Sequence, residues 1–402
     1  MIKIIKKVFE LEASTGILLL IATALALFVA NSHLFAGYQN FFATSIPLEL
    51  TTLGISKNMS LLDWINDFLM AIFFLMVGSE LKQELTIGTL SSKDQAILPI
   101  IGAIGGIILP ATIFYFFNHQ HSHHLAGFAV PVATDIAFAY GIVSFFGKGI
   151  CKSLKVFLIS LAIFDDLVAI IIIALFYTKH LHLSFLLLAV LPLFCLLILP
   201  KFYHLSKKII VVLYLFFGFF LWLTILKSGV HATISGVILA MCIPKQHLAR
   251  IIHTIAWAVN FIILPVFIFA NSGVVLPDIS FSLFSNNLFS GIFFGLFLGK
   301  QIGVMLFCFV AIKLKIAVLP KYYDANHQLL EVSWFKFYIV AIITGIGFTM
   351  SIFIGNLAFS NNLQLLDTTK IAVLFASLFS AVLAVILYLY TKGFLFNFRT
   401  KR

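Results

Sequence analysis

The sequence predicts an all-α polytopic membrane protein, and three observations lead to this fold class. Of the 402 residues, 62% are hydrophobic and only 10% are charged, whereas a soluble domain carries about 25% charged residues. The apolar runs are long enough to cross a bilayer as helices, and they lack the strict alternation of a transmembrane barrel. No connection between them is long enough for a soluble domain, so residues 1–402 are expected to form a single transmembrane domain.

We predict about twelve membrane helices. The first apolar run follows Lys3, Lys6 and Lys7 in the manner of a signal peptide, but similar runs recur to the end of the chain, so we interpret it as a retained membrane helix. Ser14 and Thr15 suit its N-terminal end, where a side-chain oxygen can cap free backbone amides. The predicted ranges are 12–31, 61–81, 96–117, 125–147, 153–177, 183–200, 208–224, 226–243, 251–275, 289–312, 333–357 and 368–391.

The basic residues predict the orientation of these helices. Most of the 26 lysines and arginines lie in the termini or in connections that share a side with the N-terminus. The opposite connections hold only Lys57, Lys179, Lys227 and Lys370. The positive-inside rule therefore predicts that both termini are cytoplasmic. Because the net charge of +11 is explained by topology, no nucleic-acid partner is expected.

Two connections on the opposite side carry local signals. Residues 47–56 alternate briefly, with Gly54 near a turn, and predict a small hairpin on the membrane surface. Residues 118–124 are rich in histidine; metal binding is one interpretation, and a solvated, non-cytoplasmic loop is the one we favour. The cysteines are isolated in or beside apolar segments, so we interpret them as small buried hydrophobic residues: Cys151, Cys195, Cys242 and Cys308.

Three acidic residues lie deep in predicted helices and carry the functional prediction. Asp165 and Asp166 are adjacent within the apolar stretch 161–173, and Asp135 lies in the fourth segment. A charge at the bilayer centre costs about 2.5–3.5 kcal/mol on insertion scales, and adjacent carboxylates repel each other. The one deep cation is Lys300, in the tenth segment. A structural ion pair needs one charge of each sign, so the surplus carboxylates indicate a cation or proton carrier.

The adjacent aspartates and the lysine suggest a division of roles. Successive residues of an α-helix point about 100° apart, so Asp165 and Asp166 cannot face the same partner. One can line a water-filled path while the other takes a counter-ion from another helix. A pair between Lys300 and a carboxylate that breaks when a proton or cation arrives would act as a switch. The alternative is that Lys300 only satisfies carbonyl groups of a broken helix.

Two segments contain interruptions. In the fourth segment Pro131 precedes Thr134 and Asp135, and a proline removes one helix hydrogen bond and clashes with the preceding turn. In the eleventh segment residues 344–351 are rich in Gly, Thr and Ser. Interrupted segments in corresponding positions of two halves are typical of inverted-repeat transporters with a site at mid-membrane. Asp135 could compensate the positive ends of the broken helices; a simple proline kink is the alternative.

Three further titratable residues could respond to pH. His231 is the histidine placed most deeply in a predicted segment, and histidine titrates near neutral pH; a hydrogen-bonded core histidine is the alternative. Glu80 and Glu84 lie four residues apart on one helix face, near Lys82. They could form a cytoplasmic cation funnel or a pH-sensitive cluster, or simply a solvated helix end.

Eight stretches, taken in order, resemble the NhaA family of bacterial sodium/proton antiporters, and together they run nearly from end to end of the chain. Each stretch is modest support alone, whereas all of them in this order are highly specific. They are residues 12–17, 73–82, 133–139, 161–167, 226–233, 269–274, 299–303 and 345–353.

The resemblance implies twelve helices, two of them interrupted and crossed, and electrogenic exchange of Na⁺ or Li⁺ for H⁺ across the bacterial inner membrane. It implies that Asp166 binds the cation, that Asp165 pairs with Lys300 and joins the exchange, and that Thr134 and Asp135 support the crossing. In these terms Asp165 and Asp166 are the Na⁺ ligands.

The same resemblance implies regulation and assembly. A pH-regulatory role falls near Glu80, Glu84 and His231, and a homodimer forms through the first long loop, residues 32–60. No cofactor is expected beyond the transported Na⁺, Li⁺ and H⁺. The chain also lacks a Gly-rich phosphate loop followed by Lys-Ser or Lys-Thr, so transport must couple two gradients and not ATP hydrolysis.

Two positions depart from the family pattern. Gln83 stands where an arginine is common, which puts the pH set-point in doubt. Val168 stands where a glycine commonly follows the two aspartates, which can alter packing beside the site but leaves the carboxylates intact. The alternative function is a sodium-coupled symporter of a small organic anion, which would need a larger polar cavity and a deep arginine that this sequence lacks.

Overall fold

The structure is a computed structural model that describes residues 14–50, 55–88, 93–178, 181–202, 206–276, 281–323 and 328–399. These residues form apolar helices and two small hairpins, which confirms the all-α polytopic membrane class. Three predicted features lie outside the described residues: the N-terminal lysines Lys3, Lys6 and Lys7, the turn at Gly54, and the charged C-terminal end after residue 399.

Fourteen helices are labelled here in chain order. They are α1 (Ser14–Ala30), α2 (Phe35–Ala43), α3 (Leu61–Thr86), α4 (Lys93–Asn118), α5 (Ile136–Phe145), α6 (Lys152–Phe176), α7 (Leu183–Ile198), α8 (Lys207–Ser228), α9 (Ile234–Cys242), α10 (Lys245–Asn271), α11 (Asn287–Lys313), α12 (Trp334–Ile343), α13 (Phe348–Ala358) and α14 (Leu363–Arg399). Short 3-10 helices span Leu125–Val132, Gly147–Gly149, Leu199–Lys201 and Phe281–Ser285.

Ten helical stretches of the described chain are long and apolar enough to cross a membrane, or eleven if α1 and α2, bent by 112°, form one span. The predicted count of twelve is not reached because of the eighth segment, 226–243. Helix α8 continues to Ser228 and ends where Gly229 adopts a φ of +86°. Helix α9 then has only 9 residues, about 14 Å of helix at 1.5 Å per residue.

The described chain divides into two compact units. The first comprises the described parts of Met1–Ile21, Thr89–Ala169 and Val274–Arg402. Within it α4 packs along α11, and α14 packs on α11, α12 and α13. Gly105 and Gly303 allow the closest approach of α4 and α11, because a methyl group on either glycine would collide with the carbonyl oxygen of the other.

A small hairpin also belongs to this first unit. Strand β3 (Lys321–Tyr323) pairs antiparallel with β4 (Leu329–Glu331), with Lys321 opposite Glu331. The two side chains form an exposed ion pair at 3.7 Å. This hairpin was not predicted, because each strand has only three residues and their alternation is too brief to be distinguished in the sequence.

The second unit comprises the described parts of Ala22–Gly88 and Ile170–Gly273. Here α9 lies against α3: a side chain on Gly236 would collide with the Ala71 carbonyl oxygen. Lys82 on α3 donates to the carbonyl oxygens of Met241 and Ile243, each at 2.6 Å. An ammonium group at free carbonyls stabilises a helix C-terminus, so Lys82 holds the end of α9 against α3.

The predicted hairpin near residues 47–56 is present in the second unit. Strand β1 (Leu48–Leu50) pairs antiparallel with β2 (Ile55–Lys57), with Leu48 opposite Lys57. After it, Ser60 and Asp63 form a reciprocal capping box at the start of α3. Lys57 lies 3.7 Å from Asp67 in a π-helical turn of α3, so the hairpin and the helix are joined by an ion pair.

Candidate ion-binding site

The fourth predicted segment is broken where the sequence indicates. The 3-10 helix Leu125–Val132 carries Pro131 in its last turn. Ala133 and Asp135 have extended backbone conformations, and α5 begins at Ile136. The break lies directly after Pro131, and a new helix begins only after Asp135, whose side chain caps it. The simple-kink alternative is therefore wrong.

The eleventh predicted segment is also broken, between α12 and α13 at residues 344–347. The two interruptions lie against each other in the first unit. The amide of Asp135 donates to the Ile346 carbonyl at 2.8 Å, and the Thr134 hydroxyl donates to the Thr344 carbonyl at 2.9 Å. Backbone groups freed at membrane depth must find partners within the protein, and here each break supplies partners for the other.

The carboxylate of Asp135 lies at the N-terminal ends of two helices. Its Oδ1 accepts from the Phe138 amide of α5 at 2.9 Å. Its Oδ2 accepts from the Thr349 amide of α13 at 2.9 Å and from the Thr349 hydroxyl at 2.5 Å. Helix N-termini carry free amides and a partial positive charge, so one buried carboxylate balances two helix ends.

Asp165 and Lys300 form a completely buried ion pair. The Lys300 ammonium donates to Asp165 Oδ2 at 2.5 Å, and neither side chain is exposed. The Thr134 hydroxyl lies 2.8 Å from the same carboxylate oxygen, so its single proton is shared between this oxygen and the Thr344 carbonyl oxygen. The second oxygen, Oδ1, is buried without a hydrogen-bond partner among the described residues. This oxygen atom therefore remains available as an acceptor.

Asp166, the next residue of α6, is equally buried, at 1% exposure. Among the described residues of the first unit, Asp135, Asp165 and Asp166 are thus buried with the completely buried Lys300, while the other buried lysine, Lys370, lies near the start of α14 and is 9% exposed. Carboxylate, hydroxyl and carbonyl oxygens are the ligands that hard cations prefer. The arrangement therefore offers buried oxygen atoms of the kind that a small hard cation or a proton can bind.

The remaining predicted residues belong to the second unit. Glu80 and Glu84 lie one turn apart near the end of α3, and both are partly buried. His231, which was expected well inside a membrane segment, is not in a helix: it lies half-buried in the non-helical break between α8 and α9. Gly229 ends α8 two residues earlier, which moves His231 out of the helix.

Sequence reasoning missed two contributors to the site. Thr349 lies in the stretch 344–351 that was singled out, but only its position at the start of α13 makes it a partner of Asp135. Gly106 on α4 faces Lys300, because a methyl group on it would contact the lysine Nζ at 3.7 Å. The spacing of Gly102, Gly105 and Gly106 was the available signal, since small residues let membrane helices approach closely.

Comparison with known proteins agrees with this architecture. Residues 6–388 match the family described as Na⁺/H⁺ antiporter 1. The Na⁺/H⁺ antiporter NhaA of Pelagibacter ubique is 45% identical over 389 residues, 95% of this chain and 96% of the relative. The NhaA 2 of Campylobacter jejuni serotype O:23/36 is 45% identical over 391 residues (96% and 98%), and the NhaA of Shewanella amazonensis is 44% identical over 393 residues (95% of each). With its length matched almost completely, this chain belongs to the Na⁺/H⁺ antiporter 1 family.

Proposed function

We propose that this protein is a secondary transporter that exchanges Na⁺ for H⁺ across a membrane and is not an enzyme. The printed names of its relatives support the two ions. The observation that carries the proposal is the buried Asp165–Lys300 pair beside Asp166, in a unit with more deep carboxylates than ammonium groups. Such a surplus of intramembrane acids is the usual mark of an ion pathway.

The proposed mechanism is competition for the same carboxylates. Na⁺ binds Asp166 and Asp165 when they are ionised, and protons displace it. Lys300 holds Asp165 when the cation is absent and releases it when the cation arrives. Rocking of the binding unit would expose the site to either side in turn, and Thr134 and Asp135 keep the two helix breaks together throughout.

Energetics favour export of sodium. One pH unit is worth about 1.36 kcal/mol per proton, and one net charge moved through 100 mV is worth about 2.3 kcal/mol. If more protons enter than cations leave, both terms drive Na⁺ out of the cell. We therefore propose electrogenic exchange that also accepts Li⁺, serving pH homeostasis and sodium tolerance.

We further propose regulation by pH through Glu80, Glu84 and His231. The first two lie on one face of α3, one turn apart, and His231 lies in the break that precedes α9. Lys82, between the two glutamates, donates to carbonyl oxygens at the end of α9. A change of charge on α3 would therefore act on α9 through the Lys82 ammonium group. Gln83, which replaces the arginine common in the family, bears on the pH of half-activation.

The location and assembly are proposals as well. The positive-inside rule supports cytoplasmic termini, and the transported ions support the bacterial inner membrane. We propose a homodimer through residues 32–60, which include α2 and the β1–β2 hairpin. In the described chain this hairpin is a two-stranded sheet, and an outer strand edge can pair with a second copy.

The alternative function, sodium-coupled symport of an organic anion, is not supported. The family is one of antiporters, and the three arginines of the chain are Arg250, Arg399 and Arg402, none of them near the buried carboxylates in sequence. The single transmembrane domain of residues 1–402 stays a proposal, as do the inverted repeat and the crossing of the two broken segments.

The proposal is tested in proteoliposomes that contain a lumenal pH dye. An acidic lumen is imposed, Na⁺, Li⁺ or K⁺ is added outside in turn, and the wild type is compared with Asp166→Asn. Alkalinisation of the lumen that depends on Na⁺ and is lost in Asp166→Asn is the expected result. Glu331→Gln is the matched control, because it neutralises an exposed carboxylate on β4 and should leave exchange unchanged.

Absence of a pH response to all three cations, with the protein folded and inserted, would overturn the antiport proposal. Equal activity of Asp166→Asn and the wild type would keep antiport but remove this carboxylate from it. The order of the three cations gives the selectivity.

A further inference from the structure

Four histidines occupy the connection between α4 and the 3-10 helix Leu125–Val132, and the proposed transport does not use them. They are His119, His121, His123 and His124. The backbone turns twice here: the His121 amide donates to the Asn118 carbonyl and the His124 amide to the His121 carbonyl, each at 2.9 Å. The turns bring the rings of His121 and His124 together, with centroids 4.9 Å apart and planes inclined by 37°.

An asparagine supports the ring of His124. The Asn118 side chain is buried, and its Nδ2 donates to the carbonyl oxygens of Phe114 at 3.0 Å and Asn287 at 3.1 Å. Its Oδ1 is therefore left as an acceptor, 2.9 Å from His124 Nδ1. With the proton on Nδ1, the Nε2 of His124 carries a lone pair.

A second asparagine supports the ring of His121. The Asn287 Nδ2 lies 3.0 Å from His121 Nε2. Turning this carboxamide by half a revolution would present its Oδ1 to an N–H on the same ring nitrogen, because the two ends of an amide have nearly the same shape. His121 Nδ1 would then carry the lone pair. Metal-binding histidines usually donate their other ring N–H to such an oxygen, which fixes tautomer and orientation.

Both rings can be reached from solvent. His121 is exposed and His124 is partly exposed.

We propose that His121 and His124 form a two-imidazole site for a divalent transition-metal ion of the Zn²⁺, Ni²⁺ or Cu²⁺ class, with water completing the coordination. Imidazole nitrogen suits these ions, whereas Na⁺ and other hard cations prefer oxygen. In the described chain no group of three or more His, Cys, Asp or Glu side chains is placed to hold a metal ion. The site therefore has two protein ligands and remains open to solvent.

The site would join three elements of the first unit. Asn118 ends α4, His124 precedes the 3-10 helix that leads to Asp135, and Asn287 begins α11, which carries Lys300. The two asparagines are already connected by a hydrogen bond. A bound ion would tie the ends of these elements together more tightly than the hydrogen bonds alone.

The test uses the full chain purified in detergent with an affinity tag that contains no histidine. Cu²⁺ is titrated in, with calorimetry for affinity and electron paramagnetic resonance for the number of coordinating nitrogens. The wild type should bind one ion with a two-nitrogen pattern. His121→Gln and His124→Gln should each lose that pattern, and Asn287→Ala, which keeps both rings, should weaken binding by about tenfold or more.

His33→Gln removes an exposed histidine elsewhere and should bind Cu²⁺ as the wild type does. His119→Gln and His123→Gln should also retain the two-nitrogen pattern. All variants lie in exposed or partly exposed positions, and size-exclusion chromatography checks that each is folded. Wild-type affinity and an unchanged nitrogen pattern in the double variant His121→Gln/His124→Gln would overturn the proposal, as would no binding by the wild type.

Discussion

Lys300 Nζ lies 2.5 Å from Asp165 Oδ2, and both side chains are completely buried. An ion pair this deep is costly to assemble, because each charge loses its hydration. The pair is reinforced by the Thr134 hydroxyl, which donates to the same oxygen. Asp165 lies on α6 and Lys300 on α11. Since the pair lies next to the two helix breaks, substitutions in it test the whole site.

Replacing Lys300 with alanine should destabilise the protein strongly. The variant leaves the Asp165 charge buried without its ammonium partner, which costs about 3–5 kcal/mol in comparable buried pairs. The free energy of unfolding in detergent, from a denaturant titration, measures the loss. The double variant Lys300→Ala/Asp165→Asn removes both charges and should recover most of the stability. A single variant as stable as the wild type would show that the pair does not form.

Thr134→Val should weaken the contact between the two breaks. Valine has nearly the shape of threonine but cannot donate to Asp165 Oδ2 or to the Thr344 carbonyl. A buried acceptor left unsatisfied costs about 1–3 kcal/mol. The thermal unfolding midpoint should fall, and Thr134→Ser, which keeps the hydroxyl, should restore most of it. If serine and valine behaved alike, the hydroxyl would not be the group that matters.

Gly303→Ala should disturb the packing of α4 on α11. The added methyl group would collide with the Gly105 carbonyl oxygen and lie 3.2 Å from Leu109 Cβ, and overpacking typically costs about 1–3 kcal/mol. Gly37→Ala on α2 is the matched control, since nothing lies within 4 Å of the new methyl group. The control should be neutral or more stable by about 0.5–1 kcal/mol, the usual preference for alanine in a helix. Unfolding midpoints compare the two variants.

Acidification should loosen the histidine loop. Burial, with the neighbouring His121 and His123, keeps the pKa of His124 below its ordinary 6.5. An opened loop therefore binds more protons than the closed loop, so local stability is present above pH 6.5 and is lost as the pH falls through and below that value. Hydrogen exchange of residues 118–127, corrected for the intrinsic rate, should accelerate on acidification. His124→Gln should remove the pH dependence; an unchanged profile would exclude His124 as its source.

Much of the site could be predicted from sequence because the cost of burying charge is a local property. Asp135, Asp165, Asp166 and Lys300 stand out wherever the chain places them, since apolar runs surround each. Pro131 likewise marks the predicted segment in which the helix is interrupted. The partner contacts could not be derived in this way. Thr349, for example, becomes part of the site only because the fold brings the N-terminus of α13 to Asp135. The two residues are 214 positions apart in the chain.

The eighth predicted segment shows the opposite case. Residues 226–243 are apolar enough for a membrane helix, yet α8 ends at Gly229 and α9 is short. Hydropathy reports that a stretch is buried but not whether lipid or protein buries it. Here Gly236 brings α9 against α3 and Lys82 holds its end, so protein contacts replace a full span.

The sequence by itself determined the membrane class, the expected orientation and which charged residues are unusual, because hydropathy and the cost of desolvation act over about 20 neighbouring residues. Only the tertiary structure decided which charges meet. The two breaks satisfy each other's backbone groups, and Asp165 finds Lys300 across 135 residues of chain. Such contacts depend on the packing of distant helices through glycines and buried polar groups, which no local pattern records.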